Sequence, residues 1–202
     1  MANQVFHLVI ASNNHNKVSE IREMAPIGFV FHSLMDKNIT QELPETSGTI
    51  PGNATEKARE VWKITGMNCL SDDSGLCVAA LNGEPGVDSA FYAGLPRNDQ
   101  SNYNLLLKKI DGRSDRRAHF LTVMALIIDG KEFLFEGRVE GTISEKPIGN
   151  SGFGYDPVFV PNGYDITFAQ MSEKEKNAIS HRKNALAKVI AFLKVYNEKQ
   201  EK

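Results

Sequence analysis

Cysteine is scarce in this chain. Of 202 residues only two are cysteines, Cys69 and Cys77. A pair without CxxC spacing offers neither a disulfide framework nor a zinc signal. Both stand in apolar surroundings, as reduced structural thiols do, so the expected compartment is the cytoplasm. An excess of one charge is also missing. The net charge is -2 at pH 7, so no global field recruits nucleic acid or an anionic membrane, and any anion site must be local. No apolar run reaches membrane-spanning length, which argues against a membrane partner. The stretch from Met1 to Ser12 has neither a basic leader nor a long apolar core, so no signal peptide is expected. There is no G-x-x-x-x-G-K-[ST] phosphate loop. Linkers and repeats are lacking too, and a single domain spanning residues 1–202 is expected.

What is present reads as alternating strands and helices around a β-rich middle. Val5 to Ala11 predicts a buried strand, followed by a polar break and a helix from Lys17 to Met24. A weaker strand covers Gly28 to Ser33, and an irregular stretch with Pro44, Gly48 and Pro51 precedes a helix from Asn53 to Thr65. A strand at Cys69 to Ser71, a turn at Asp72-Asp73-Ser74-Gly75 and a returning strand at Leu76 to Leu81 come next. Asn98 to Ile110 reads as an amphipathic helix. Ala118 to Ile128 and Glu132 to Val139 read as strands joined at Asp129-Gly130, a strong hairpin signal. After a short strand at Pro157 to Pro161, Ser172 with Glu175 fits a capping box. Ser180 is placed to cap a last helix from His181 to Tyr196 that buries Ala187, Ile190 and Leu193. The pattern is that of an α/β protein, a mixed sheet covered by helices.

Four segments carry candidate chemistry. Ser12-Asn13-Asn14-His15-Asn16-Lys17 links a strand to a helix, where backbone N–H groups and the helix dipole attract an anion and Lys17 adds a full charge. The same residues also describe an ordinary Asn-capped helix start. Asp72 and Asp73 repel each other unless a cation intervenes. A Mg²⁺ ion would relieve them, with Asp73 as ligand and Glu45 as a second; a solvated acidic turn is the plain alternative. Lys57, on the helix Asn53-Ala54-Thr55-Glu56-Lys57, is within reach of a phosphate or simply exposed. Ser180-His181-Arg182, with Lys176 upstream, puts cations at a helix start against the dipole, which suits an electronegative ligand atom or a solvated face. In Gly152-Phe153-Gly154-Tyr155-Asp156-Pro157-Val158 the glycines free the backbone around a ring. That ring can lie on a flat nucleobase or tuck inside a strand-entry turn.

These segments, in this order, resemble the inosine/xanthosine triphosphate pyrophosphatases. The likeness runs from Val9 to Leu193. It includes S/T-x-N-x-x-K-x-x-E at Ser12, Asn14, Lys17 and Glu20; N-A-x-x-K-A at Asn53 to Ala58; and D-D-S-G-L at Asp72 to Leu76. G-x-P-G at Gly83 to Gly86, G-F-G-Y-D-P at Gly152 to Pro157 and E-K-x-x-I-S-H-R at Glu175 to Arg182 complete it. Phe91 departs from the family, standing where an arginine is usual. The resemblance implies an elongated α/β molecule with a long mixed sheet, two lobes around a central cleft, and a homodimer. It implies Mg²⁺-dependent hydrolysis of ITP, dITP and XTP to monophosphate and pyrophosphate. Asp73 would be base and, with Glu45, metal ligand, Asp72 remaining an alternative base. Lys17, Lys57, Ser74 and the loop from Ser12 to Asn16 would hold phosphates. Phe153, Gly154, Tyr155, Asp156, Lys176, His181 and Arg182 would hold the base and adjoining sugar.

Overall fold

The computed structural model describes residues 5–200. The expected absence of a leader rests partly on Met1 to Gln4, which lie outside that range. Six strands form one mixed sheet in the order β2-β1-β3-β4-β5-β6. They are β1 (Phe6–Ala11), β2 (Phe29–His32), β3 (Cys69–Val78), β4 (Arg117–Ile128), β5 (Lys131–Ile143) and β6 (Phe159–Pro161). The helices are α1 (His15–Glu23), α2 (Ile50–Thr65), α3 (Asp99–Ile110), α4 (Glu173–Ile179) and α5 (His181–Gln200). β1 runs parallel to β2 and β3, and β6 is antiparallel to β5. The α/β reading with a mixed sheet and flanking helices therefore holds. Among the described residues no helix is long and apolar enough to cross a membrane.

The chain divides into two compact units. The first comprises Met1–Asp73, Val123–Gly137 and Arg182–Lys202. Its core joins Leu8 and Ile10 of β1, Ile21 of α1, Leu70 of β3, Met124 and Leu126 of β4, and Leu186, Val189 and Leu193 of α5. The second comprises Ser74–Thr122 and Arg138–His181. Its core joins Leu76 and Val78 of β3, Leu106 and Ile110 of α3, Phe120 of β4, and Phe159, Phe168 and Met171.

Several boundaries differ from the sequence expectation for physical reasons. The expected Asp72-Asp73-Ser74-Gly75 turn is not a turn: β3 runs unbroken through it. Polar side chains survive inside a buried strand here because each finds a partner. Ser71 Oγ donates to the Ala54 carbonyl at 2.5 Å, and Ser74 Oγ meets Thr122 Oγ1 at 2.7 Å. α2 begins at Ile50 rather than Asn53, because Thr49 caps it by accepting from Gly52 N and Pro51 fits the first turn. In α5 Ala187 is exposed rather than buried. Its buried apolar residues are Ala185, Leu186, Val189 and the expected Leu193, with Ile190 half-buried, so the buried face is rotated from the one expected. Pro157 lies in a short 3-10 turn, and the strand starts at Phe159. The Asp129-Gly130 hairpin and the Ser172/Glu175 capping box are both present; φ is 50° at Asp129 and 73° at Gly130. Both values are positive, as a two-residue turn of the primed kind requires.

The register positions the first unit's chemistry. Ala11 pairs with Ser71, so β1 ends and its polar loop begins alongside the point where β3 reaches Asp72.

Leu126 and Leu106 are both 0% exposed, one in each core. Replacing either by alanine is expected to cost about 2–5 kcal/mol, the transfer loss plus a residual cavity. Urea unfolding followed by circular dichroism measures it.

Candidate functional site

The first unit gathers its buried charged residues on the Asp72–Asp73 stretch of β3. Lys17 and Glu20 are three residues apart on α1 and so share a face. Lys17 Nζ lies 2.5 Å from Asp72 Oδ1 and also donates to the Asp72 carbonyl at 3.3 Å. Arg182, at the start of α5, donates from Nε to Asp72 Oδ2 at 3.0 Å and from Nη1 to Glu20 Oε2. Arg182 is 1% exposed and Asp72 0%. Side chains alternate along a strand, so Asp73 points the other way from Asp72. Asp73 Oδ1 accepts from Lys57 Nζ at 3.0 Å, and the same ammonium lies 2.5 Å from Glu45 Oε1. The loop carrying Glu45 is tied to α2: Glu56 accepts from Thr46 N at 2.7 Å, and Asn53 Oδ1 from Ser47 N at 3.2 Å.

Burial alone would push the Asp72 carboxyl up; the Arg182 and Lys17 charges outweigh it and hold it well below the usual carboxylate range. Burial pushes Asp73 up, against the pull of Lys57 and Lys17. Burial pulls Lys57 down, but Asp73 and Glu45 more than reverse this and leave it raised. Lys17 is lowered by burial, with Asp72 opposing and Lys57 and Arg182 adding to the fall. The repulsion between adjacent aspartates is thus relieved in a way the sequence did not indicate, because Asp72 is neutralised by the protein's own cations.

The polar loop before α1 is a capped helix start. Asn14 Oδ1 accepts from Asn16 N at 3.0 Å and Lys17 N at 3.3 Å, and Ser12 Oγ accepts from Asn14 N at 3.2 Å. Asn13 reaches the Gln41 carbonyl at 3.4 Å, while His15 and Asn16 are exposed.

The second unit holds the glycine-flanked aromatic. Asp156 Oδ2 accepts from Phe153 N at 2.9 Å and from Lys176 Nζ at 2.7 Å. That ammonium lies 4.6 Å from the centroid of the Phe153 ring, within cation–π range. Gly152 has φ +77°, and a Cβ there would stand 2.1 Å from Asp156 Oδ2, so the turn excludes any larger residue. Gly154 N donates to Asp99 Oδ2 at 2.7 Å. Tyr155 is spent on structure: it is buried, and its hydroxyl donates to the Ser89 carbonyl at 2.9 Å. Burial raises its pKa well above the ordinary phenol range. His181 is buried and its ring stacks on Phe120, with centroids 4.7 Å apart and planes 10° from parallel.

Among the site residues proposed from sequence, Lys17, Lys57, Asp72, Asp73, Glu45 and Arg182 meet in the first unit; Phe153, Asp156 and Lys176 meet in the second. The neighbours His181 and Arg182 divide, one into an aromatic stack and the other into ion pairs. Sequence reasoning gave Glu20 no role; the signal was its i+3 spacing from Lys17. Asp99 and Thr122 had no local signal.

The donor set can be tested against a metal ion. The ion-paired cluster of the first unit contains three cations (Lys17, Lys57, Arg182) and four carboxylates (Glu20, Glu45, Asp72, Asp73). It is therefore one positive charge short of neutral. Among the described residues no group of three or more His, Cys, Asp or Glu side chains is arranged to hold a metal. The pair on offer, Asp73 with half-exposed Glu45, suits an ion that takes one or two carboxylates and keeps its waters, as Mg²⁺ does.

Fold and charges together define an α/β protein with a mixed sheet and a buried carboxylate–lysine cluster on a central strand. A structure from Staphylococcus aureus, described as a Ham1 protein, superposes with TM-score 0.85 at 38% identity, covering 94% of this chain and 99% of that one. A Ham1 protein from Coxiella burnetii gives 0.86 at 37%, covering 94% and 99%. A relative from Flavobacterium psychrophilum, named dITP/XTP pyrophosphatase, is 49% identical over 187 residues, which is 93% of this chain and 98% of that protein. The Ham1 family model matches residues 8–192, and the chain belongs to that family.

Replacing Asp72 by Asn takes the carboxylate partner from Lys17 and leaves Arg182 with Glu20 alone. It is expected to destabilise the protein by about 3–5 kcal/mol. Since the folded pKa of Asp72 is depressed, its contribution is complete above the unfolded value of about 3.9 and fades as pH falls through the lower folded one. Urea midpoints measured from pH 5 downward should therefore fall less steeply for Asp72→Asn than for the parent.

Proposed function

We propose that this chain is a nucleoside triphosphate pyrophosphatase that hydrolyses deaminated purine nucleotides (ITP, dITP and XTP) to monophosphate and pyrophosphate. The observation that carries the reading is the cluster on β3, in which Asp73 is paired with Lys57 and Glu45 beside the Asp72–Lys17 pair. The name of the relative at 49% identity supports the substrate class.

A triphosphate brings roughly four negative charges, and water attacks it slowly until they are balanced. Lys17 and Lys57, with the loop Ser12 to Asn16 and the hydroxyl of Ser74, hold the phosphates. Glu45 and Asp73 would hold Mg²⁺, which supplies charge neutralisation at the phosphate oxygens. Asp73, its pKa raised by burial, accepts the proton of the attacking water. The water oxygen bonds to the α-phosphorus as the bond from that phosphorus to the α–β bridging oxygen breaks, and pyrophosphate leaves carrying that oxygen. Asp72 is a weaker candidate for that proton: Arg182 and Lys17 hold it ionised and occupy its oxygens.

The second unit is assigned to the base. Phe153 stacks on the purine, worth about 1–3 kcal/mol and indifferent to base identity. Lys176 and Asp156, with Gly154 and Tyr155 as framework, fix the ring and the adjoining sugar. His181 meets the six-position, where hypoxanthine and xanthine offer an oxo acceptor and adenine an amino donor. A donor facing a donor leaves buried groups unpaired at roughly 1–3 kcal/mol each, which rejects ATP. Arg182 shares this assignment from sequence, and its two carboxylate partners favour a role in holding Asp72. In this reading the chain acts as one catalytic domain in a cytoplasmic homodimer, with no nucleic-acid or membrane partner.

Pyrophosphate release from ITP, dITP, XTP, GTP, ATP and dTTP tests the proposal. The first three should turn over fastest, EDTA should abolish the reaction and Mg²⁺ restore it. Asp73→Asn should lose at least about 10²-fold in kcat while remaining folded. Fastest turnover of ATP or dTTP would refute the substrate class, and an unimpaired Asp73→Asn the assignment of the base.

A further inference from the structure

We infer that Asp99 is a positioning residue for the aromatic loop, acting on the base through Phe153 rather than by touching it. The inference rests on the reading of Phe153 as the base-stacking ring.

Phe153 is half-buried and stands between two glycines with positive φ, +77° at Gly152 and +62° at Gly154. Glycine loses more backbone freedom on ordering than any other residue, so a ring hinged on two of them stacks well only if something else fixes the backbone. Two consecutive amides do this, each with its own carboxylate. Phe153 N donates to Asp156, three residues along in the same turn. Gly154 N donates to Asp99 Oδ2 at 2.7 Å, across 55 residues of sequence. The first clamp is local and moves with the loop. The second ties the loop to α3, which is a fixed post. Leu106 and Ile110 anchor α3 in the second core, Asn98 caps it through Ser101 N at 2.8 Å, and Asn102 Nδ2 holds the Ser89 and Ala90 carbonyls. Arg97 Nε donates to the other oxygen of Asp99 at 3.1 Å, which orients the carboxylate. A charged acceptor makes this bond stronger than a neutral one.

The test is ITP hydrolysis with Mg²⁺ for the parent, Asp99→Ala, Asp99→Asn, Phe153→Ala and the Asp99→Ala/Phe153→Ala double variant, with thermal unfolding of each. Phe153→Ala should raise KM roughly tenfold, in line with the loss of one stacked ring. Asp99→Ala should raise KM roughly three- to tenfold with kcat within about twofold, and Asp99→Asn, which keeps an acceptor oxygen in place, should restore most of it. The double variant should be no worse than Phe153→Ala alone, because Asp99 acts only through the ring. If Phe153→Ala raises KM and Asp99→Ala does not, or if the two effects add, the inference is overturned while the base-stacking reading stands. If Phe153→Ala leaves KM unchanged, the stacking reading itself falls. A lowered melting temperature with unchanged KM marks Asp99 as structural only. Should Asp99→Ala fail to fold, removal of the orienting partner by Arg97→Ala carries the same comparison.

Discussion

The first unit depends on the neutralisation of Asp72. An unpaired carboxylate with no solvent exposure in the middle of a strand would cost several kcal/mol. Two cations from opposite ends of the chain remove that cost, Lys17 from α1 and Arg182 from α5. Glu20 balances the second charge of this arrangement by holding Arg182. With Asp72 so paired, its neighbour Asp73 projects to the other side of β3, its pKa raised by burial and its carboxylate bonded to a lysine it shares with Glu45. The two-residue period of the strand keeps the two aspartates apart, one held by Lys17 and Arg182 and the next by Lys57.

The charge balance links this architecture to the Ham1 family's chemistry. In the proposed reaction, a cluster already one cation short would receive a polyphosphate only with added positive charge. Asp73 and half-exposed Glu45, both paired with Lys57, are oxygen ligands of the kind a hydrated divalent ion takes. The second unit meets a different demand, the fixing of an aromatic ring on a turn between two glycines of positive φ. Its solution is also electrostatic: carboxylates from Asp156 and Asp99 accept consecutive backbone amides, and Lys176 lies over the ring.

Much of this was legible locally. The Asp129-Gly130 hairpin, the Ser172/Glu175 box and the alternating elements follow from turn chemistry and periodicity acting over a few residues. The candidate site residues were legible as residue types, since a lysine after an asparagine loop or a phenylalanine between glycines is an uneconomical choice for packing alone. The turn expected at Asp72 to Gly75 was misread because polar residues usually signal solvent. Here long-range partners (Ala54 for Ser71, Lys17 and Arg182 for Asp72, Thr122 for Ser74) let them stay in a strand.

By itself, then, the amino-acid order determined the elements, the family and the inventory of reactive groups, because each is written in short-range spacing. Only the tertiary structure decided that Lys17 and Arg182 neutralise Asp72, that Arg182 also answers Glu20, and that Asp99 reaches the aromatic loop. Those outcomes are set by pairings across 55 to 162 residues. Such pairings are chosen by burial and charge balance in the folded chain, and no local pattern encodes them.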